Sequence, residues 1–186
     1  VALSADGGDE IFGGYNRYDY MVKYGKKLNA VPYFLRQTIV GLMKNISSEN
    51  IPILKNKYNF HNRYEKLKTV LEDPSEKEIM LSLSQQFTDD QMKKIMLSDF
   101  NLLNTMFESK EMKKKVKSPL SYMMAVDFQT YMLDDILQKV DRATMTHSLE
   151  GREPMLDHRI LEFVAQLPDN YKYYKGVKKR ILRDIT

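Results

Sequence analysis

Ser4-Ala5-Asp6-Gly7-Gly8-Asp9-Glu10-Ile11-Phe12-Gly13-Gly14-Tyr15 is the stretch on which the reading of this chain turns. Four of the eight glycines fall between Gly7 and Gly14, so the backbone freedom of the chain is gathered at one end. After Tyr15 glycine and proline are sparse, and Leu, Met, Lys and Glu dominate, a composition that favours helix. Upstream, Val1-Ala2-Leu3 is short and apolar and runs straight into the turn, as the tail of a buried strand would. The expected fold is mainly α, with at most one short strand, at the N-terminus.

Helix-start signals recur beyond the turn. Asp73-Pro74-Ser75-Glu76 offers a capping carboxylate, a proline at the first helical position and a glutamate at the capping-box position. Ile79, Leu83 and Phe87 follow as an apolar stripe of helical period. Thr88-Asp89-Asp90-Gln91 is a second capping box, and Ser118-Pro119 opens a long segment read as one helix over Ser121–Ser148. Asp157 is placed to cap Ile160–Leu167 before Pro168 stops it, and no strand-like alternation competes within Glu72–Gln166. Asn45–Lys57, with its Ser, Asn and Pro52, reads as a loop between helices.

Composition excludes several classes. With 42% hydrophobic and 29% charged residues, the 186-residue chain can bury a core and does not read as disordered. Its longest apolar runs are about five residues, as in Tyr122–Val126, whereas a spanning helix needs about 20. Without cysteine there is no disulfide, thiolate metal site or cysteine nucleophile, which fits a cytoplasmic setting. A net charge of +4 is too mild to argue for nucleic acid. Lys113-Lys114-Lys115 with Lys117, beside Glu111, reads as a solvated helix end, and the scattered His61, His147 and His158 make no zinc pattern. The chain opens without Met and stops inside a helical stretch, so it is expected to be a piece of a longer protein.

The turn itself is demanding. Three carboxylates packed into Asp6–Glu10 repel one another unless a cation or basic ligand sits among them. With oxygen ligands only, that cation would be hard, such as Mg²⁺ held together with phosphate oxygens. The alternative is an acidic surface turn that caps the following helix through Asp9 or Ser4. The aromatic continuation, Ile11-Phe12-Gly13-Gly14-Tyr15, is more than an ordinary turn requires.

The stretch resembles the SGDGGDELFGGY signature of glutamine-hydrolysing asparagine synthetases of the B type. Leu133–Met145 and Leu149–Asp157 are similar to that family's LPDDILVKVDRASM and LEARVPFLDH, and Gly176–Arg183 to its GKxKYxLR. Ala5 stands where the family has Gly, Gly151 where it has Ala, and Met155 where it has Phe; none removes a charge. The family's SGGxDS pyrophosphate loop and its N-terminal cysteine are not in this sequence. The resemblance therefore implies that residues 1–186 are one truncated, C-terminal helical portion of an adenine-nucleotide α-hydrolase-like α/β synthetase domain.

It also implies an activity: ATP-dependent, AMP-forming conversion of a carboxylate, aspartate above all, to its amide through an acyl-adenylate, with nitrogen from glutamine. Asp9 would hold Mg²⁺, and Asp6 would act on the incoming ammonia. Ser4, Ala5, Gly7 and Gly8 would line the adenylate, and Lys179 would offset developing charge. Taken without the resemblance, Lys179 is one of a basic run, Lys175, Lys178, Lys179 and Arg180, that solvation alone explains. Asp135, Lys139 and Arg142 share a helical stripe, either a self-paired ladder or a polar support, while Tyr131, Leu133, Ile136, Leu137 and Val140 suit burial. Arg152 and Asp157 flank Pro154 and either fix that turn or touch ligand. The fragment alone is expected to be inactive, with neither nucleic acid nor membrane as partner. Two other readings stand beside it: an amidating enzyme for another carboxylate, such as a polysaccharide sugar acid, and a non-catalytic helical scaffold.

Overall fold

The computed structural model describes residues 1–52, 56–97 and 106–186. In chain order the elements are β1 (Ala2–Leu3), α1 (Gly8–Phe12), α2 (Asn16–Ala30), α3 (Tyr33–Asn45), α4 (Phe60–Glu72), α5 (Glu76–Ser84), α6 (Asp89–Ile95) and α7 (Lys110–Lys115). They continue with α8 (Pro119–Gln129), a π-helical turn at Met132–Ile136, α9 (Leu137–Met145), β2 (Gly151–Arg152), α10 (His158–Gln166), α11 (Asp169–Lys172), β3 (Tyr173–Tyr174), β4 (Val177–Lys178) and α12 (Arg180–Asp184). The chain is mainly helical, as its composition predicts. No helix among the described residues is long and apolar enough to cross a membrane.

The strand expectation needs correction. β1 pairs in parallel with β2, with Ala2 opposite Gly151 and Leu3 opposite Arg152, inside the segment read as free of strand. A second ladder, β3 with β4, is an antiparallel hairpin across Lys175-Gly176, both with positive φ, the geometry that suits two-residue hairpins. Two-residue strands carry no periodicity to read, and the turn of the hairpin lies within a basic run.

Two compact units divide the chain. One, Met21–Asn104, packs α3 against α4 and α4 against α5 around Val40, Tyr64, Val70, Leu71, Ile79 and Met80. The Tyr64 hydroxyl donates to the Met43 or Ile46 carbonyl, both at 3.1 Å, and Arg36 Nη1 donates to the Leu71 carbonyl, tying the ends of α3 to α4. Here α5 starts two residues later than expected. The Asp73 carboxylate accepts from the Ser75 N–H at 3.0 Å and is spent before the helix, so Ser75 is the cap and accepts from the Glu78 N–H. Of the expected stripe only Ile79 is buried; Leu83 and Phe87 are exposed, and Phe87 lies past the end of α5. The Thr88–Gln91 capping box forms reciprocally, as read. Within the looser region Asn45–Lys57, Ser48–Asn50 form one 3₁₀ turn, and residues 53–55 lie outside the described ones.

The other unit, Val1–Tyr20 with Thr105–Thr186, carries the glycine turn. Ile11 and Phe12 of α1 and Val164 of α10 form a buried cluster, covered by Phe128, Met155, Ile160, Leu161, Leu167, Ile181 and Leu182. Burying side chains of this size is worth roughly 1.5–3 kcal/mol each, which pins α1 between α8 and α10. Ser118 caps α8 with Pro119 in the first turn, and Asp157 caps α10, both as read. The single helix expected over Ser121–Ser148 is instead broken at Thr130, whose hydroxyl donates to the Val126 carbonyl at 2.7 Å and competes with the helical ladder. Of the residues assigned to burial on it, Leu133 is exposed and the others are only half-buried.

Candidate functional site

β1 delivers the chain into the turn, and Gly7 caps α1 with φ 89°. A Cβ on Gly7 would sit 2.3 Å from Leu156 Cδ2, so both backbone and space exclude a side chain there. Neither Ser4 nor Asp9 is the cap. The Ser4 hydroxyl donates to the Asp6 carboxylate instead, and Asp9 already lies inside the helix.

The three carboxylates part company rather than gather. Asp6 takes the Ser4 hydroxyl. Glu10 points inward, 1% exposed, and its carboxylate accepts from the Tyr15 hydroxyl; burial pushes its pKa up. Asp9 meets Lys179, with Nζ 3.1 Å from Oδ1. Among the described residues no three acids or histidines converge on one point that could hold a metal. Any Mg²⁺ here would therefore have Asp9 and ligand oxygens, which is how that ion is commonly held, with few protein ligands.

The Asp9–Lys179 pair joins residues from opposite ends of the chain, and its surroundings are shaped to admit it. A Cβ on Gly14 would fall 1.8 Å from Asp9 Oδ1 and 2.4 Å from Lys179 Cε. The same test at Gly8 finds Lys179 Nζ at 3.8 Å, so the ammonium lies over bare backbone. Lys179 itself adopts left-handed backbone, φ 50°, at the start of α12. Such a conformation costs a non-glycine residue about 1–3 kcal/mol. The two side chains are 32% and 39% exposed, and an ion pair open to water returns only about 0–1 kcal/mol. The pair does not offset its own strain, and a stability role does not explain it.

A frame holds Lys179 there. Lys178 Nζ donates to Asn16 Oδ1 at 2.6 Å, Arg180 Nη1 to the Asn170 carbonyl and Arg183 Nε to the Lys178 carbonyl. The Tyr173 hydroxyl of β3 donates to Asp19 of α2.

Behind the turn lies a network that the sequence reading missed. Asp127 on α8 is buried, accepts from the Tyr18 hydroxyl at 2.6 Å and pairs with Arg17 Nη2 at 2.8 Å. The Arg17 guanidinium lies 4.2 Å from the Tyr15 ring centre and 4.9 Å from that of Tyr131. Burial raises the Asp127 pKa against the opposing pull of Tyr18 and Arg17, and burial with the nearby acids lifts both tyrosine hydroxyls, Tyr15 and Tyr18. A signal was present: Asp127 is a lone acid at the end of the apolar run Tyr122–Val126, and a buried carboxylate needs partners.

Other expectations settle simply. Asp135 and Lys139 pair with each other at 2.8 Å on the surface, the ladder reading, and Arg142 is exposed. Arg152 of β2 pairs with Glu150, and Asp157 with Arg159.

The turn thus leaves bare backbone at Gly8 beneath a strained lysine paired with Asp9, while Leu156 covers Gly7. The family model for asparagine synthase matches residues 1–186, and the chain belongs to that family. It is 28% identical over 192 residues to asparagine synthetase [glutamine-hydrolyzing] 1 of Bacillus subtilis, covering 98% of this chain and 27% of that protein. It is 38% identical over 69 residues to asparagine synthetase [glutamine-hydrolyzing] 3 of the same organism, covering 37% of this chain and 11% of that one. The chain thus spans about a quarter, or less, of the curated relatives it matches. No solved structure matches it.

Proposed function

We propose that residues 1–186 are the C-terminal part of a synthetase domain, and that the intact protein makes an amide from aspartate at the expense of ATP. A carboxylate oxygen of aspartate attacks the α-phosphorus, the bond to pyrophosphate breaks, and an acyl-adenylate forms. Ammonia released from glutamine then attacks the acyl carbon, and AMP leaves. Ser4, Ala5, Gly7 and Gly8 line the adenylate and acceptor, with Gly8 leaving its backbone bare for close approach. Asp9, with phosphate oxygens, would hold Mg²⁺, which neutralises charge on the departing pyrophosphate.

Lys179 leaves Asp9 as negative charge grows on the phosphate oxygens and offsets it. Asp6, whose carboxylate accepts a hydrogen bond from the Ser4 hydroxyl at rest, accepts a proton from the attacking nitrogen. The parallel β1–β2 pair supports placing the chain at the edge of a larger sheet of the adenine-nucleotide α-hydrolase type, since parallel strands are rarely left as an isolated pair. The observation that carries the reading is the strained Lys179 set against Asp9 across the glycine turn. The full-length protein should release AMP with aspartate and not with uronic acids, and this fragment alone should release none. AMP release driven by a uronic acid, or by the fragment, would overturn the assignment.

A further inference from the structure

Beside α1 lies a cavity of about 810 Å³, walled by α1, α8, α10 and α11. Glu10 and Ile11 form its inner wall, continuous with Met124, Phe128, Leu161 and Val164, so most of the lining is apolar. Among the polar residues on the wall, with Glu10 and Asp169, Lys172 stands apart. It is 5% exposed yet lines the cavity, so what surface it keeps faces that space. Among the described residues its ammonium has no hydrogen-bond or ion-pair partner, and Asp169 acts on it only at longer range.

Asp169 is committed elsewhere: its carboxylate accepts from the Ser118 hydroxyl and, at 2.9 Å, from that of Ser121. A buried cation without an acceptor is costly, and burial lowers the Lys172 pKa accordingly. Lys115 and Lys117, the end of the basic cluster in the sequence, bring two more ammonium groups to the same wall, where Lys115 is held by Glu111 at 2.6 Å.

We propose that this cavity binds a small organic anion, a carboxylate on an aliphatic or aromatic body, whose charge Lys172 receives and whose body lies against Phe128, Leu161 and Val164. The site is separate from the Asp9–Lys179 pair, although both rest on α1. It does not depend on the proposed amide synthesis.

The test is calorimetric titration of the full-length protein with octanoate, with octanol and octylamine as probes of the same body without the negative charge. Octanoate should bind saturably at one site per chain, and the other two at least about tenfold more weakly, the size expected for one hydrogen bond to a charged group. Lys172→Met should lose about tenfold in octanoate affinity while keeping its circular dichroism. Ala165→Phe, at an exposed position on the cavity wall, should abolish binding with Lys172 intact, and it decides the matter if Lys172→Met fails to fold. Equal affinity for octanoate and octanol, or undiminished octanoate binding by either folded variant, would overturn the proposal. So would a concentration-dependent dimer that Ala165→Phe dissolves while octanoate does not bind, which would assign the cavity to a second copy of the chain.

Discussion

Arg17–Asp127 and Lys179–Asp9 are two ion pairs of similar length, 2.8 Å and 3.1 Å, on the same unit of the molecule, and they do opposite work. Asp127 is sealed in α8, shares its oxygen with Tyr18 and stands behind aromatic rings that stack on Arg17. Asp9 is open to water, has a strained partner and faces bare backbone. The buried pair cannot be broken without stranding a charge, so it belongs to the fold. The open pair can part whenever a ligand offers either member a better partner, which is what the proposed function asks of it.

The contrast is easiest to break at Asp127. Asp127→Ala leaves Arg17 half-buried without its partner and should cost about 3–5 kcal/mol of unfolding free energy, a large share of the 5–15 kcal/mol typical of a domain. Denaturant unfolding that shows Asp127→Ala no weaker than wild type would place the pair with the open one. Tyr15→Phe removes the donor to buried Glu10 and should cost about 1–3 kcal/mol by the same measurement.

Glu10→Gln sharpens the comparison through pH. Burial raises the folded-state pKa of Glu10 above its unfolded value, so its contribution is fully present below the unfolded pKa and is lost as pH rises through the folded one. Gln keeps an oxygen for the Tyr15 hydroxyl without the charge. The variant should gain on wild type at neutral pH and lose that advantage in acid, as stability followed across pH would register. The smallest effect belongs to Asp9→Asn, which should change unfolding free energy by no more than about 1 kcal/mol.

How much of this was legible depends on what each residue's signal is made of. Caps are local, so Thr88, Ser118 and Asp157 could be read from a few residues, and Asp73 failed only because Ser75 competes for the same role two positions on. The β1–β2 ladder was invisible, since its two strands are two residues long and lie far apart in the chain. Gly7, Gly8, Asp9 and Lys179 were singled out through motif resemblance, and the structure brings Gly8, Asp9 and Lys179 together. The direction of each carboxylate was not in the motif. That Glu10 turns inward while Asp9 turns out follows from helical rotation and from Tyr15, which only the folded chain supplies.

The most direct test of the open pair's functional role is pyrophosphate release by the full-length protein carrying Asp9→Asn or Lys179→Met, measured beside its melting temperature. Lys179→Met keeps the aliphatic stem and removes only the ammonium. Losing one preorganised electrostatic partner typically costs about 10²–10³ in rate, roughly 2.7–4 kcal/mol, so both variants should slow by at least that much while melting within a few degrees of wild type. Near-normal pyrophosphate release by either folded variant, or early melting by both, would contradict the account.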